Sequence, residues 1–378
     1  MTEKLEDRLK ELEERLASTV PNKHTQRSIN FLRAQIAQIK DDMVRVASSK
    51  KGGGVGFGIK KSGDAQVAFI GFPSVGKSSL LNLLTEGDTH SKVAAYDFTT
   101  ITAIPGMMKI LQAKIQLIDL PGVILGAHLG KGRGKEVLGA ARSADLVLII
   151  TAFREDGTIR YSDLTTIRKE LYDAGIRLNQ VAPRITVNMK ERGGIGFTGQ
   201  GNQTMDRSEV KALMQDLGFH NATVFFHESN VTPEQLIDHV LGNRVYTREF
   251  VVINKSDLEK QPIPPEEITA AIGHDHWVLI SALKEDNIDG LRHQIFDELQ
   301  LIRIYLKPPG READMNQPMI MRQGDTLETL CRKIHQNFVD TFRYALIWGP
   351  SAKHPGQKFS LLDHVLEEGD VVSIYLRR

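Results

Sequence analysis

The sequence predicts an α/β fold: a parallel sheet covered by crossover helices, with a smaller α+β segment set into it and a compact β-rich module after it. Three observations carry this expectation. Short, uniformly apolar runs ("QVAFI", "KIQLIDL", "ADLVLII", "EFVVIN") alternate with longer helix-like stretches, as strands buried on both faces require. The glycine-rich stretch "GFPSVGKSS" (71–79) lies between the first run and the helical "SLLNLL". Near the C-terminus, "IRIYLK" and "DVVSIYLRR" enclose a single helical segment, the pattern of a ubiquitin-like module.

In chain order, the first fifty residues read as two helices. Leu5, Leu9, Leu12 and Leu16 form one apolar stripe; after the Pro21-Asn22 break, Ile29, Leu32, Ile36, Ile39, Met43 and Val46 form another. Each stripe is narrow, as in a helical hairpin packed within the chain or docked on a partner. The segment "SSKKGGGVGFGIKKSGDAQ" (48–66) reads as a flexible linker, whose pairs Lys50-Lys51 and Lys60-Lys61 could also touch RNA phosphates.

The alternating β/α pattern begins at Gln66. Between Asp119 and Asn254 a minimal fold needs about 60 residues, so an insert on the order of 75 residues is expected. Inside it, "PRITVNM" and "IGFTG" flank Glu191-Arg192-Gly193-Gly194 and read as a β-hairpin. "DRSEVKALMQDLG" carries Val210, Leu213, Met214 and Leu217 at helical spacing. In "TPEQLIDHVLG", Thr232 is the expected N-cap, Pro233 the first turn and Gly242 the stop. In the last module, Asp325 and Glu328 read as a capping-box-like pair before a helix burying Leu327, Leu330, Ile334 and Phe338.

Composition bounds the function. The 378 residues suffice for two or three domains; 41% hydrophobic and 25% charged residues suit a soluble chain, and a net charge of +1 argues against a generally basic nucleic-acid coat. The single cysteine, Cys331, excludes an internal disulfide framework. No segment is apolar enough for a secretory leader or a bilayer span, so a cytoplasmic protein without a membrane partner is expected.

Four short motifs carry chemistry. Gly71, Gly76, Lys77 and Ser78 fit G-x-x-x-x-G-K-S in a strand-turn-helix context, where backbone N–H groups wrap phosphates at the positive end of a helix. The phosphate set is therefore Gly71, Pro73, Ser74, Val75, Gly76, Lys77, Ser78 and Ser79, with Lys77 on the β- and γ-phosphates and Ser78 on Mg²⁺. In "LIDLPG" (117–122), Asp119 would hold Mg²⁺ through a water, and the Gly122 N–H would meet the γ-phosphate. In "NKSD" (254–257), the Asp257 carboxylate matches the two donors of a guanine edge, which adenine lacks. Asn254 would tie the base loop to the phosphate loop, the Lys255 stem would cover the base, and "SAL" (281–283), through Ser281 and Ala282, would add a backbone N–H for the guanine carbonyl. Val123 stands where many GTPases keep a water-positioning glutamine. In "GAHLGKGRGKEV" (126–137), Lys131, Arg133 and Lys135 alternate with glycines; this reads as a mobile switch, an RNA contact or a supply of charge to the γ-phosphate, and His128 as an idle side chain.

"YDFTTITAIPG" (96–106), "GIRLN" (175–179) and "GNRVY" (242–246), in this order of parts, resemble the developmentally regulated GTP-binding proteins, an Obg-like branch of the translation-factor P-loop GTPases. The resemblance covers essentially the whole chain. It implies a helical hairpin (1–50), a Gly/Lys linker (51–65) and a P-loop GTPase domain (66–300). That domain is interrupted at 180–245 by an α+β subdomain like the second domain of ribosomal protein S5, and a C-terminal ubiquitin-like β-grasp (TGS) domain follows (301–378). It further implies GTP and GDP as ligands, with the ribosome, rRNA or tRNA and a small zinc-finger protein as partners; DNA is not expected. By the same resemblance Thr100, beside Thr99, is the switch ligand of Mg²⁺. The catalytic set is Lys77, Thr100 and Gly122. Some relatives with an apolar residue at the position of Val123 use K⁺, held partly by a phosphate-loop asparagine. Ser74 occupies that position here, a shorter oxygen ligand. The expectation is a slow GTPase, on the order of 10⁻⁴ to 10⁻³ s⁻¹ unaided, the alternative being a GTP-regulated RNA- or ribosome-binding module with negligible hydrolysis.

Overall fold

The computed structural model describes residues 2–22, 25–49, 61–85, 104–120, 134–199, 201–242 and 244–377. The first elements are α1 (Thr2–Ser18), α2 (Gln26–Ser49), β1 (Ala65–Ile70), α3 (Lys77–Leu84), β2 (Ile104–Ile110), β3 (Ala113–Asp119), α4 (Gly134–Ser143), β4 (Leu146–Ala152) and α5 (Tyr161–Asp173). β5 (Ile176–Leu178), β6 (Ile185–Met189), β7 (Ile195–Gly199), α6 (Arg207–Asp216), β8 (Ala222–Phe226), α7 (Pro233–Leu241) and β9 (Val245–Asn254) follow. The chain continues through α8 (Pro265–Ile272), β10 (Trp277–Leu279), α9 (Ile288–Glu298), β11 (Leu301–Leu306), β12 (Met319–Arg322), α10 (Leu327–Ile334) and α11 (Asn337–Thr341). It ends with β13 (Phe342–Trp348), β14 (Gln357–Phe359) and β15 (Val371–Leu376). Among the described residues, no helix is long and apolar enough to cross a membrane.

Two compact units emerge. One comprises Lys60–Gly122, Ser143–Asp163 and Phe250–Arg378; the other comprises Met1–Ile59, Val123–Arg142 and Leu164–Glu249. The first is built on a sheet of order β10-β9-β4-β1-β3-β2. β1 runs parallel to both β3 and β4, and β10 parallel to β9; the edge strand β2 is antiparallel to β3. Every residue of β1 and β4 is buried, which explains why these strands read as continuous apolar runs. The parallel register sets Phe69 beside Asp119 and Ile70 beside Ile149. The C-terminal ends of these strands therefore share one edge of the sheet, where α/β folds build their sites.

The C-terminal part of this unit is a second sheet, β12-β11-β15-β13-β14, wrapped on α10. α10 does not start with the expected Asp325–Glu328 capping box. Its N-cap is Thr326, without a side-chain hydrogen bond. The reason is local: Asp325 Oδ2 accepts from the Arg322 N–H at 2.8 Å, closing the turn after β12. The first helical amides find backbone partners instead, Leu327 N–H donating to His364 O and Glu328 N–H to Leu362 O, both at 2.9 Å. Leu327 and Leu330 are fully buried, as expected, and Ile334 and Phe338 pack partly buried against the same cluster. The helix ends at His335, so Phe338 belongs to α11.

In the other unit, the leucine stripe of α1 meets the apolar stripe of α2. Leu9, Leu12, Leu32, Ile36, Ile39 and Met43 are buried together, each contributing about 1.5–3 kcal/mol. Val46 lies outside the residues whose side chains are described. The adjoining face of α2 is also used: Ala34 is buried in a cluster with Val210, Leu213, Met214 and Leu236, on α6 and α7. The hairpin thus packs within the chain. Both insert helices carry capping boxes, Asp206 with Glu209 and Thr232 with Gln235, and Gly242 terminates α7 at φ 65°.

The expected β6–β7 hairpin does not form. β8 lies between the two strands, antiparallel to β6 and parallel to β7. β8 alternates buried and part-buried residues along "ATVFF", whereas β6 and β7 each end exposed. The most apolar strand takes the centre, where both its edges are paired. Spacing around Gly193-Gly194 could not reveal a strand arriving from residue 222.

Candidate functional site

The turn after β1 is shaped by two left-handed residues, Ser74 at φ 66° and Gly76 at φ 93°, and Lys77 opens α3. For a serine that conformation costs about 1–2 kcal/mol, a strain that clusters at functional loops. Close packing fixes the two glycines. A Cβ at Gly71 would stand 2.4 Å from Ile150 O, and one at Gly76 would stand 2.3 Å from Asn254 Nδ2. Pro73, Ser74, Ser78 and Ser79 are exposed, while Val75 is buried.

Lys77 folds back over this turn, Nζ donating to Gly71 O at 3.0 Å and to Phe72 O at 3.1 Å. Burial depresses its pKa below the ordinary lysine value, and the nearby Asp119 carboxylate opposes the shift. Phe72 was not expected here from the sequence, because the part it plays is a backbone carbonyl's and no side-chain pattern marks it. Ser78 Oγ donates to Asp119 Oδ2 at 2.6 Å. Asp119 Oδ1 is buried with no hydrogen-bond partner among the described residues. A hydroxyl beside a carboxylate with one unused oxygen is a hard-oxygen donor set, which fits a divalent cation such as Mg²⁺.

The base-side loop stands beside this constellation. Asn254, at 2% exposure, ends β9. Its Nδ2 donates to Val75 O at 2.8 Å, while its Oδ1 accepts from the N–H groups of Lys255 (2.7 Å) and Ala282 (3.0 Å). One buried amide side chain thus joins the phosphate turn, the Asn-Lys-Ser-Asp loop and the segment after β10. Lys255 holds a left-handed φ of 62°, which turns the chain so that the Asp257 side chain is exposed. Ser281 is buried and its hydroxyl donates to Asp257 Oδ1; the Lys284 N–H donates to Ser281 Oγ at 3.1 Å. Ser281 therefore orients the carboxylate, a part that its place in the sequence does not suggest. The Ala282 amide, expected to face a ligand, is engaged by Asn254, and the Ser281 N–H donates to Asp286 O at 3.2 Å. Acceptors within reach claim both amides. Thr99, Thr100, Gly122, Val123, His128, Lys131, Arg133 and Lys135, by contrast, lie outside the residues whose side chains or placement are described.

Comparison with known proteins places three family models along the chain: "50S ribosome-binding GTPase" over residues 66–189, "C-terminal region of MMR_HSR1 domain" over 192–301, and "TGS domain" over 302–376. An uncharacterized GTP-binding protein of Methanocaldococcus jannaschii is 45% identical over 377 residues, covering 99% of this chain and 93% of the relative. Developmentally-regulated GTP-binding protein 1 of Xenopus laevis is 42% identical over 370 residues, covering 97% of this chain and 98% of the relative. Among solved structures, a YchF GTPase of Schizosaccharomyces pombe matches 84% of this chain and 99% of its own, at 12% identity and a TM-score of 0.48.

Proposed function

The chain belongs to the developmentally regulated GTP-binding proteins, P-loop GTPases with a C-terminal TGS domain, and on that premise we propose that it hydrolyses GTP to GDP and phosphate slowly, as a timer for association with the ribosome. The observation that carries the proposal is the three-way junction at Asn254. It holds the Asp257 carboxylate and the Lys77, Ser78 and Asp119 group to one frame.

In this reading the guanine edge offers its two donors to Asp257, kept in place by Ser281. The Lys255 stem lies along the base. Lys77 leaves the carbonyls of Gly71 and Phe72 for the β- and γ-phosphates, and the turn from Gly71 to Ser79 wraps them with backbone N–H groups. Ser78 Oγ and, through a water, Asp119 would hold Mg²⁺, with Thr100 as the third protein ligand; bound there, the ion neutralises phosphate charge. The Gly122 N–H would meet the γ-phosphate and relax after hydrolysis, together with Thr100. With valine at 123, water positioning and charge stabilisation fall to backbone groups and cations. K⁺ near the exposed Ser74 is the cation proposed for that role. The ribosomal part of the proposal is supported by the description of the family model matched over residues 66–189.

Two measurements test it. Calorimetry with Mg²⁺ should show GTP and GDP binding with ATP far weaker, and Asp257→Asn should abolish the preference. Single-turnover hydrolysis in potassium and in sodium buffer, with and without ribosomes, should show product above background and faster in potassium. Product at background level in every condition would leave only a GTP-regulated binding module.

A further inference from the structure

The TGS sheet has two unlike faces. Ala345, Ile347 and Val372 point into the core around α10. The opposite face of β13 and β15 carries Tyr344 paired with Tyr375, Leu346 with Ser373, and Trp348 with Val371. A bulge between Phe342 and Tyr344 makes this possible: it keeps Phe342 in the core, sends Arg343 to solvent and turns Tyr344 outward. Tyr344 and Tyr375 stack with centroids 4.5 Å apart. Lys358 of β14 stands over the Tyr344 ring at 4.5 Å, with Arg343 at 5.8 Å, and Lys307 stands over Trp348 at 4.6 Å. Among the described residues, none of these three cations forms an ion pair. The registered outward positions of β13, β14 and β15 include no carboxylate.

Three unpaired cations resting on aromatic rings, beside strand positions of β13, β14 and β15 that carry no carboxylate, suit a ligand that is polyanionic and has flat faces to stack. Single-stranded nucleic acid is such a ligand: phosphates draw the ammonium and guanidinium groups aside while bases take their place on the rings. A duplex hides its base faces and cannot use the rings. We infer that this face, Tyr344, Trp348 and Tyr375 with Lys307, Arg343 and Lys358, binds single-stranded RNA by stacking two or three bases. The inference rests on the ribosome-directed part of the proposed function, and deepens it by naming the surface and the form of RNA.

Trp277 and Trp348 are the two tryptophans of the chain, so full-length Trp277→Phe isolates the fluorescence of Trp348. Titration with ten-nucleotide poly(U) and poly(A) RNA should quench that emission saturably, and duplex RNA of equal charge should not. Trp348→Ala or Tyr375→Ala should weaken single-strand binding by about 5- to 150-fold. The triple variant Lys307→Gln, Arg343→Gln, Lys358→Gln leaves the rings in place. It should flatten the slope of log affinity against log salt by about 0.7 for each phosphate no longer neutralised. This variant carries the test if an aromatic variant fails to fold. Unquenched Trp348, duplex bound as tightly as single strand, or a charge variant with unchanged affinity and salt slope would each overturn the inference. GTP binding measured on the same variants separates the two readings. Weakened RNA binding with GTP binding intact is the expected result, whereas wild-type protein that binds RNA and no GTP would sink the proposed function alone.

Discussion

Replacing Asn254 with alanine is the sharpest perturbation of the site. It removes the donor to the Val75 carbonyl and the acceptor of the Lys255 and Ala282 amides. Val75 is buried, so its orphaned carbonyl costs about 1–3 kcal/mol. The two amides belong to half-buried residues, where water can partly substitute, at about 0.5–1 kcal/mol each. The sum is about 2–5 kcal/mol. At 1.4 kcal/mol per decade, its lower end is about a 30-fold loss of GDP affinity if the loops must be reordered on binding. Asn254→Asp keeps an acceptor but sets a buried carboxylate oxygen against the Val75 carbonyl in place of the donor, so it should cost at least about 5- to 150-fold. Calorimetric titration with GDP and Mg²⁺ measures the affinity, and urea unfolding of the free protein measures any share taken from fold stability. If Asn254→Ala bound GDP within twofold of wild type, with an unchanged urea midpoint, the junction would not couple base and phosphates and the proposal built on it would fail.

Gly76→Ala should remove nucleotide binding, because the new Cβ at φ 93° would meet Asn254 Nδ2 at 2.3 Å; retained GDP heat would show that the turn relaxes. Ser74→Gly should leave the fold intact or stabilise it by about 1 kcal/mol by relieving a left-handed serine. If Ser74 holds K⁺, the same variant should hydrolyse GTP equally fast in potassium and sodium. Asp238→Asn should destabilise its unit by about 3–5 kcal/mol in denaturant titration, since the carboxylate is buried between Arg177 Nε at 2.7 Å and Arg244 Nε at 2.8 Å. Asp145 loses some carboxylate acidity to burial. It gains more from Lys61, Arg322 and the Gln66 N–H, and the balance holds its pKa below the usual range. A depressed folded value means that the stabilisation is complete above the unfolded carboxylate value and is lost as pH falls through the folded one. The stability difference between wild type and Asp145→Asn, about 1–2 kcal/mol with half-exposed partners, should therefore stay flat from pH 7 to about 4 and close below that. A difference that shrank already between pH 7 and 5 would contradict this assignment.

Much of the site was legible because its chemistry is local. A strand, a glycine turn and a helix N-terminus are contiguous from Gln66 to Leu84, so "GFPSVGKSS" already marked a turn between strand and helix; the left-handed Ser74 was not legible. The caps at Thr232 and Gly242 were legible for the same reason. The part of Ser281 was not, because the importance of its hydroxyl depends on Asp257, 24 positions away. The strand between β6 and β7, and the backbone carbonyls that pre-empt the Asp325 cap, were equally invisible to spacing.

The stretches "GIRLN" and "GNRVY" show the division most clearly. As sequence they signalled kinship and nothing physical. In the fold, β5 and the start of β9 pair side by side, and Arg177 and Arg244 converge on one aspartate of α7. The sequence by itself determined the buried strands β1 and β4 and the glycine turn that leads into α3, because these follow from periodicity and backbone freedom over a few residues. Only tertiary structure decided which strand is central, which amides are already engaged and which faces remain open. Those outcomes depend on burial and on partners that the linear chain does not place together.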